Sequence, residues 1–142
     1  MNRLRASVTL FVFSLISIAA YGVQLREHDA DWIAPPKAAS KPNPLVNRPE
    51  VEAGGRKIFQ QRCVTCHGDA GRGTTKGPAL TAPDVQSQSD GALFWKISGG
   101  NARRGMPTFS FLPEAQRWQL VLRLRTLAAA ANETALIHSA GR

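Results

Sequence analysis

The feature that most constrains this 142-residue chain is the segment Cys63-Val64-Thr65-Cys66-His67. It holds both cysteines of the chain, and a histidine directly follows the second one. On a helix, side chains three positions apart lie about one turn from each other, so both thiols point to the same side. This spacing is compatible with a redox disulfide, a zinc site, covalent attachment of a cofactor, or chance.

The rest of the chain separates these alternatives. A zinc site needs four ligands, and the remaining histidines, His28 and His138, lie far from the pair in sequence. A thioredoxin-like dithiol belongs in a βαβ context, which is absent. C-x-x-C-H is the attachment pattern of a c-type haem, in which two thiols add to the vinyl groups at one porphyrin edge. The segment therefore predicts one covalent haem c, attached at Cys63 and Cys66, with His67 as an iron ligand.

The N-terminus has the order of an export signal. Arg3 and Arg5 precede an uncharged run from Ala6 to Val23, and Ala20-Tyr21-Gly22 offers small residues for cleavage. The run is also long enough to span a bilayer, so residues 1–23 are either a signal peptide or a membrane anchor. Both interpretations predict a periplasmic, exported protein, which is soluble or tethered to the inner membrane through residues 6–23.

The charge of the chain indicates the kind of partner. The formal net charge is +8 at pH 7, which favours redox protein partners with acidic docking surfaces or an anionic membrane. The basic residues are dispersed and the protein is expected to be exported, so no nucleic acid partner is predicted. No second cluster of titratable residues accompanies the motif, and no small-molecule substrate is predicted.

Composition divides the chain into four parts. Residues 24–49 contain five of the nine prolines and are predicted to be an extended linker without a packed core. A folded domain is expected over residues 50–131, followed by a C-terminal tail over residues 132–142. Periodicity and capping residues predict three helices in the domain. They cover Val51 to Cys63, Gly91 to Ser98, and a stretch that starts at Pro113.

The last helix carries the clearest apolar stripe. It consists of Leu120, Val121, Leu124, Leu127 and Ala128, with Trp118 beside it. A domain of this size buries proportionally little surface, so something should supplement its core. A buried haem would do so.

The second axial ligand is predicted from a single methionine. Apart from the initiator, Met106 is the only methionine, and it lies in the loop Gly105-Met106-Pro107 between two predicted helices. A thioether on the far side of the ring favours Fe(II) and raises the potential. A lone methionine more often packs in a core, and His138 is the alternative ligand. The chain already needs an iron ligand, so we expect Met106 to bind the iron together with His67.

Four segments together make residues 50–127 resemble a class I c-type cytochrome of the bacterial monohaem type. They are Cys63 to Gly68, Gly77 to Leu80, Asp90 to Trp95, and Gly105 to Pro107. The resemblance implies an all-α fold, a cytochrome c-like small helical domain wrapped around one covalent haem, in which the first and last helices cross.

The resemblance also implies roles for two residues after the motif. The Pro78 carbonyl would accept a hydrogen bond from His67 Nδ1–H, which raises the basicity of the ligand. Leu80 would pack on the proximal haem face. For Trp95 two interpretations stay open, since its indole could donate to a haem propionate or pack in the core.

One position departs from the pattern of the family. Its members usually carry an aromatic residue in the last helix, packed against a glycine and an aromatic residue of the first. Gly55 and Phe59 are present, but Arg123 stands at the matching position of the last helix. Trp118 or the aliphatic stem of Arg123 is expected to substitute.

The resemblance implies an electron-transfer protein and no enzyme. It would be a single-electron carrier that uses a His/Met-ligated haem in an exported respiratory or dehydrogenase-linked chain. One alternative is a haem-bearing subunit fixed in a larger membrane redox complex. Another is a haem enzyme or gas sensor, which would require an open or easily displaced axial position.

Overall fold

Helices make up the regular structure of this computed structural model, which describes residues 32–46 and 48–141. The predicted signal peptide or anchor at residues 1–23, the start of the predicted linker and His28 lie outside the described residues. Within them, the helices are α1 Pro36–Ala39, α2 Glu52–Arg62, α3 Val64–His67, α4 Pro83–Gln86, α5 Asp90–Gly99 and α6 Glu114–Ala140. None of the helices in this part of the chain is long and apolar enough to cross a membrane.

The three predicted helices are confirmed as α2, α5 and α6, with bounds within about two residues at the predicted ends. The Ser89 hydroxyl caps α5 by accepting a hydrogen bond from Ala92 N at 3.2 Å. Gly100, at φ 64°, ends the same helix because its conformation suits a residue without a side chain. Pro113 is the residue directly before α6, whose first helical residue is Glu114.

Helix α6 runs further than the sequence indicates. The segment predicted as a C-terminal tail, residues 132–142, is helical as far as Ala140. No glycine or proline interrupts the chain between Glu114 and Ala140, and a run of alanines at 128–131 favours helix.

The core lies where α2, α5 and α6 meet. Phe59 of α2 and Val121 of α6 have no exposed surface, and the predicted stripe of α6 is buried throughout. Burying each side chain of this size stabilises the fold by roughly 1.5–3 kcal/mol. The buried cluster comprises Phe59, Leu93, Phe94, Ile97, Phe109, Trp118, Leu120, Val121, Leu124 and Leu127.

Backbone contact defines the crossing of α2 and α6. A Cβ added at Gly55 would lie 2.1 Å from Gln119 O, so the two helices touch where α2 has no side chain. The Arg123 side chain packs beside that contact, with its guanidinium carbon 5.9 Å from the centroid of the Phe59 ring. Arg123 thus takes the place of the expected aromatic residue.

Trp118 was one of two candidates to pack on Gly55 and Phe59 of α2, but its ring pairs with an aromatic residue of α5. Its ring stacks on Phe94 of α5, with centroids 4.0 Å apart and an interplanar angle of 20°. Trp118 therefore joins α6 to α5, and the crossing with α2 is left to Arg123.

Part of the predicted linker belongs to the folded unit, which begins at Ala34. Ala34 and Asn43 are buried, and Ala39 O accepts a hydrogen bond from Ser89 Oγ at 2.6 Å. A Cβ at Gly91 would lie 2.3 Å from Ala38 O, so α1 rests directly on the start of α5. The prediction of a segment without a packed core is wrong for residues 34–46. The prolines at positions 35 and 36 start a helix there, because proline suits the first helical position.

Candidate functional site

The motif spans the junction of α2 and α3. Cys63 caps α2 and donates its N–H to Phe59 O at 2.8 Å, and its own carbonyl accepts from His67 N at 2.9 Å. Both cysteines are free and half-buried. The backbone thus carries the two thiols and the imidazole on one continuous helical turn.

Cys63 does not have the character of a reactive redox cysteine. Burial raises the pKa of the Cys63 thiol to about 11, and the neighbouring Cys66 adds to that effect. Thiol–disulfide exchange proceeds through a thiolate, and reactive cysteines have a lowered pKa. The Cys63 thiol is therefore protonated at neutral pH, which disfavours thiol–disulfide exchange.

One backbone carbonyl orients the imidazole of His67. Pro78 O lies 2.9 Å from Nδ1, which is the contact that the resemblance implies. A neutral ring that donates from Nδ1 keeps the lone pair of Nε2 for a metal. The adjacent Gly77 makes room, because a Cβ there would lie 3.2 Å from both Nδ1 and Cε1 of His67.

The loop after the motif folds back on it. Gly73 N donates to His67 O at 2.9 Å, and the Thr74 hydroxyl donates to Cys66 O at 2.6 Å. Thr74 N also donates to Gly77 O at 2.9 Å, which brings Gly77 beside the motif. Sequence reasoning missed Thr74. The available signal was a hydroxyl residue in a glycine-rich loop, where such side chains commonly bind backbone groups.

Leu80 is held at both of its peptide groups. Its N–H donates to Gly71 O at 2.7 Å, and its carbonyl accepts from Gln86 Nε2 at 2.7 Å. The half-buried side chain packs against the apolar core cluster. Trp95 lies on α5 next to the buried Phe94 and is itself half-buried, so its proposed role stays a prediction.

Met106 lies in a clamped turn. Its N–H and carbonyl both pair with Asn101, at 3.0 and 2.9 Å, and Gly105 precedes it at φ 76°. The half-buried Met106 side chain packs against the same apolar cluster as Cys63 and Leu80. The structure thus brings these three predicted site residues onto one cluster from separate stretches of chain.

The alternative ligand and the zinc interpretation find little support. His138 is exposed near the end of α6, and its Nδ1 lies 2.8 Å from Thr134 O of the same helix. Within residues 32–46 and 48–141, no three His, Cys, Asp or Glu side chains come together as a metal site. Two thiols, an imidazole oriented through Nδ1 and a thioether on the same cluster fit a covalently attached iron porphyrin.

Comparison with known proteins points to the same kind of site. Residues 50–122, just over half of the 142 residues, match the family described as Cytochrome C oxidase, cbb3-type, subunit III. The crystal structure of cytochrome cL from the marine methylotrophic bacterium Methylophaga aminisulfidivorans MPT is similar, with a TM-score of 0.53 and 25% identity. The match covers 61% of this chain and 61% of that chain, so it spans about three-fifths of that solved structure. No curated protein matches the chain.

Proposed function

The chain belongs to the cytochrome c domain family of the cbb3-type oxidase subunit III, and on that premise we propose that it is a single-electron carrier with His67 and Met106 as iron ligands. The family binds one covalent c-type haem and implies electron transfer through it. The proposed setting is a periplasmic respiratory or dehydrogenase-linked chain. The observation that carries the proposal is the 2.9 Å contact between His67 Nδ1 and Pro78 O.

That contact prepares His67 to bind iron. The hydrogen bond sets the tautomer of the ring and fixes its plane, and it increases the electron density on Nε2. Cys63 and Cys66, half-buried and one turn apart, would attach the porphyrin edge beside His67 in the sequence. When bound, the haem supplies a one-electron couple between Fe(III) and Fe(II).

Met106 is proposed as the ligand on the opposite face. Its turn is clamped by Asn101, so the thioether would be presented without a large entropic penalty. A soft sulfur ligand favours the reduced iron and raises the potential. If His67 and Met106 both bind the iron, no position would be left open for a substrate or a gas. Such a closed site would favour an electron carrier over an enzyme or a sensor.

We also propose where an acidic redox partner docks. Phe111 is 63% exposed, which is unusual for a phenylalanine, and it lies in the segment that follows Met106. The guanidinium carbon of Arg62 lies 5.9 Å from the centroid of its ring, and Arg62 directly precedes Cys63. An exposed aromatic residue paired with a cation beside the attachment motif suits a partner with acidic residues around an apolar centre.

Carbon monoxide tests the closed site. The reduced wild-type holoprotein at neutral pH should bind little carbon monoxide, whereas Met106→Ala should bind it readily and keep its covalent haem. The oxidised variant should also lose the weak red charge-transfer band of thioether-ligated iron. Leu112→Ala is the matched control, because Leu112 is half-buried on the same cluster but carries no donor atom. Ready binding of carbon monoxide by most wild-type molecules would disprove the closed site.

A second candidate is a haem-bearing subunit held in a larger membrane complex. The family description, an oxidase subunit, favours it. Fractionation of native membranes separates the two candidates. Recovery in the membrane fraction after a high-salt wash supports the subunit. Recovery entirely in the soluble fraction, with a new N-terminus near Val23, excludes an anchored form.

A further inference from the structure

The guanidinium of Arg125 ties α6 to the chain between α4 and α5. Its Nη1 donates to Gln86 O at 2.7 Å, and its Nη2 donates to Gln88 O at 2.5 Å. Its Nε donates to Asp90 Oδ1 at 2.9 Å. The planar fork therefore fixes three points of one short segment with charge-assisted hydrogen bonds, which are stronger than neutral ones.

Gln86 connects Arg125 with the backbone of Leu80, close to the site. Its amide oxygen accepts from Arg125 Nη1 at 3.1 Å. Its amide nitrogen donates to Leu80 O at 2.7 Å and to Leu124 O at 3.3 Å. All the polar atoms of the side chain are thus committed, and they connect α6 with Leu80.

Leu80 lies two residues after the carbonyl that orients His67. On one side, Leu80 is held by Gln86 and by Gly71 O, which accepts its N–H at 2.7 Å. On the other side, Gly77 is held through its pairing with Thr74. Pro78 and Ala79 lie between the two restrained residues, Gly77 and Leu80. The position of the Pro78 carbonyl therefore depends on how firmly both Gly77 and Leu80 are held. Pro78 itself is exposed, so the bonds of its neighbours rather than burial hold its carbonyl.

We propose that Arg125 and Gln86 are positioning residues for His67, which tune the reduction potential through the Pro78 carbonyl. The inference rests on the proposed function, since it requires His67 to be an axial ligand. A firm hydrogen bond from Nδ1 makes the imidazole a stronger donor and stabilises the oxidised iron. When Leu80 is released, Pro78 O shifts, the bond weakens and the potential rises.

Three variants of the full holoprotein test this. Gln86→Met keeps the length of the side chain and removes its hydrogen bonds, while Arg125→Lys keeps the charge and removes the fork. Arg123→Lys is the control, because Arg123 lies on the same helix and instead pairs with Glu52 Oε1 at 3.0 Å. All three should lower the Tm.

Only Gln86→Met and Arg125→Lys should change the reduction potential and the strength of the hydrogen bond from His67 Nδ1. In each, the equilibrium should shift about threefold towards reduced iron, or roughly 28 mV at 59 mV per tenfold for one electron. Solvent exchange of the His67 Nδ1–H, followed by NMR in the reduced state, should accelerate about tenfold because the bond opens more often. The double variant should shift no further than the larger single one, since both residues act through Leu80.

A purely structural role gives a different result. If Gln86→Met and Arg125→Lys lower the Tm but match Arg123→Lys in potential and in exchange rate, the proposal is wrong. Failure of the proposed function is recognised separately, from binding of carbon monoxide by the wild type. The exchange rate at His67 does not depend on the second ligand, so the proposal is tested in either case.

Discussion

The loop that orients His67 and the crossing of α2 and α6 are built in different ways. In the loop, residues 66–80 bind each other over short stretches of chain, through backbone groups, the Thr74 hydroxyl and the His67 imidazole. At the crossing, Glu52 and Arg123 come from opposite ends of the domain and meet beside a contact between glycine and backbone. Short-range hydrogen bonds thus shape the site, and long-range packing supports it. Damage to the crossing should reduce stability, whereas damage to the loop should change the properties of the ligand.

The largest effect is expected at Gly55. In Gly55→Ala, the new Cβ would lie 2.1 Å from Gln119 O, and backbone cannot move aside cheaply. We expect a loss of about 3 kcal/mol or more in the free energy of unfolding, measured by denaturant titration of the holoprotein.

The adjacent glycine is the matched control for this variant. In Gly54→Ala, the added Cβ meets only the end of the Gln119 side chain, at 2.6 Å, which can rotate away. Alanine also favours helix over glycine by about 1 kcal/mol, so this variant should be neutral or more stable. Equal losses at both positions would show that the crossing is not the contact we describe.

The second effect is the dependence of the crossing on pH. Burial alone would raise the pKa of Glu52, but hydrogen bonds from Arg56, Arg123 and Thr126 outweigh it and leave the pKa below the usual 4.5. A carboxyl whose pKa is lower in the folded state stabilises the fold above the unfolded pKa, and this contribution is lost as pH falls through the folded pKa. Glu52→Gln should cost about 1–3 kcal/mol at pH 7 and less at acidic pH.

Unfolding curves at pH 7 and below pH 4.5 measure this difference. Glu50→Gln is the control, because Glu50 is exposed and pairs with Arg48 at the surface, where ion pairs contribute little. A Glu52→Gln variant that stays equally destabilised at both pH values would contradict the assignment of the pKa.

The third effect separates the loop from the crossing. In Gly77→Ala, a Cβ would lie 3.0 Å from Cys66 O and 3.2 Å from His67 Nδ1, so we expect the imidazole to shift and its bond to Pro78 O to weaken. We expect a loss of only about 1 kcal/mol in stability, but a rise in the reduction potential and faster exchange of the His67 Nδ1–H.

Pro78→Ala should have the opposite profile. The acceptor is a backbone carbonyl, which the substitution keeps, so the potential should stay near that of the wild type. Loss of the proline ring should lower stability by about 0.4–1 kcal/mol, through the entropy of the unfolded chain. If the two variants shift the potential equally, the position of the carbonyl does not control the ligand.

The smallest effect on stability is expected at the proposed docking surface. Phe111→Ala removes an exposed ring and should change stability by no more than about 0.5 kcal/mol. Electron transfer from a reduced acidic ferredoxin, used as a probe and followed by stopped flow at low salt, should slow several-fold. Leu136→Ala is the control, because Leu136 is 69% exposed and lies near the C-terminal end of α6. Equal rates in all three proteins would remove Phe111 from the docking surface.

Local signals were sufficient for much of the fold and of the site. Ser89 and Gly100 bracket α5 as expected of capping residues, and the stripe around Val121 is buried as its spacing predicts. The spacing of Cys63, Cys66 and His67 already indicated haem attachment. These features depend on neighbours within about two helical turns, and sequence patterns report such neighbours directly.

Long-range contacts could not be predicted in the same way. Nothing in the order of residues pairs Arg123 with Glu52, or connects Arg125 through Gln86 to Leu80. The prolines before residue 46 indicated an extended linker, yet that segment packs on α5 because Gly91 leaves room for its carbonyl groups. The complementary surface lies some 50 residues away in sequence, where a local pattern contains no information about it.

The sequence by itself therefore predicts which residues hold the cofactor, since the chemistry of C-x-x-C-H is complete within five residues. It also determined where the main helices begin and where α5 ends, because capping residues and apolar periodicity act over short stretches of chain. Only the tertiary structure decided what holds those residues in place. The crossing at Gly55, the substitution of an aromatic residue by Arg123 and the link from α6 to the Pro78 loop all arise when distant segments meet. Their energies depend on distances that exist only in the folded chain.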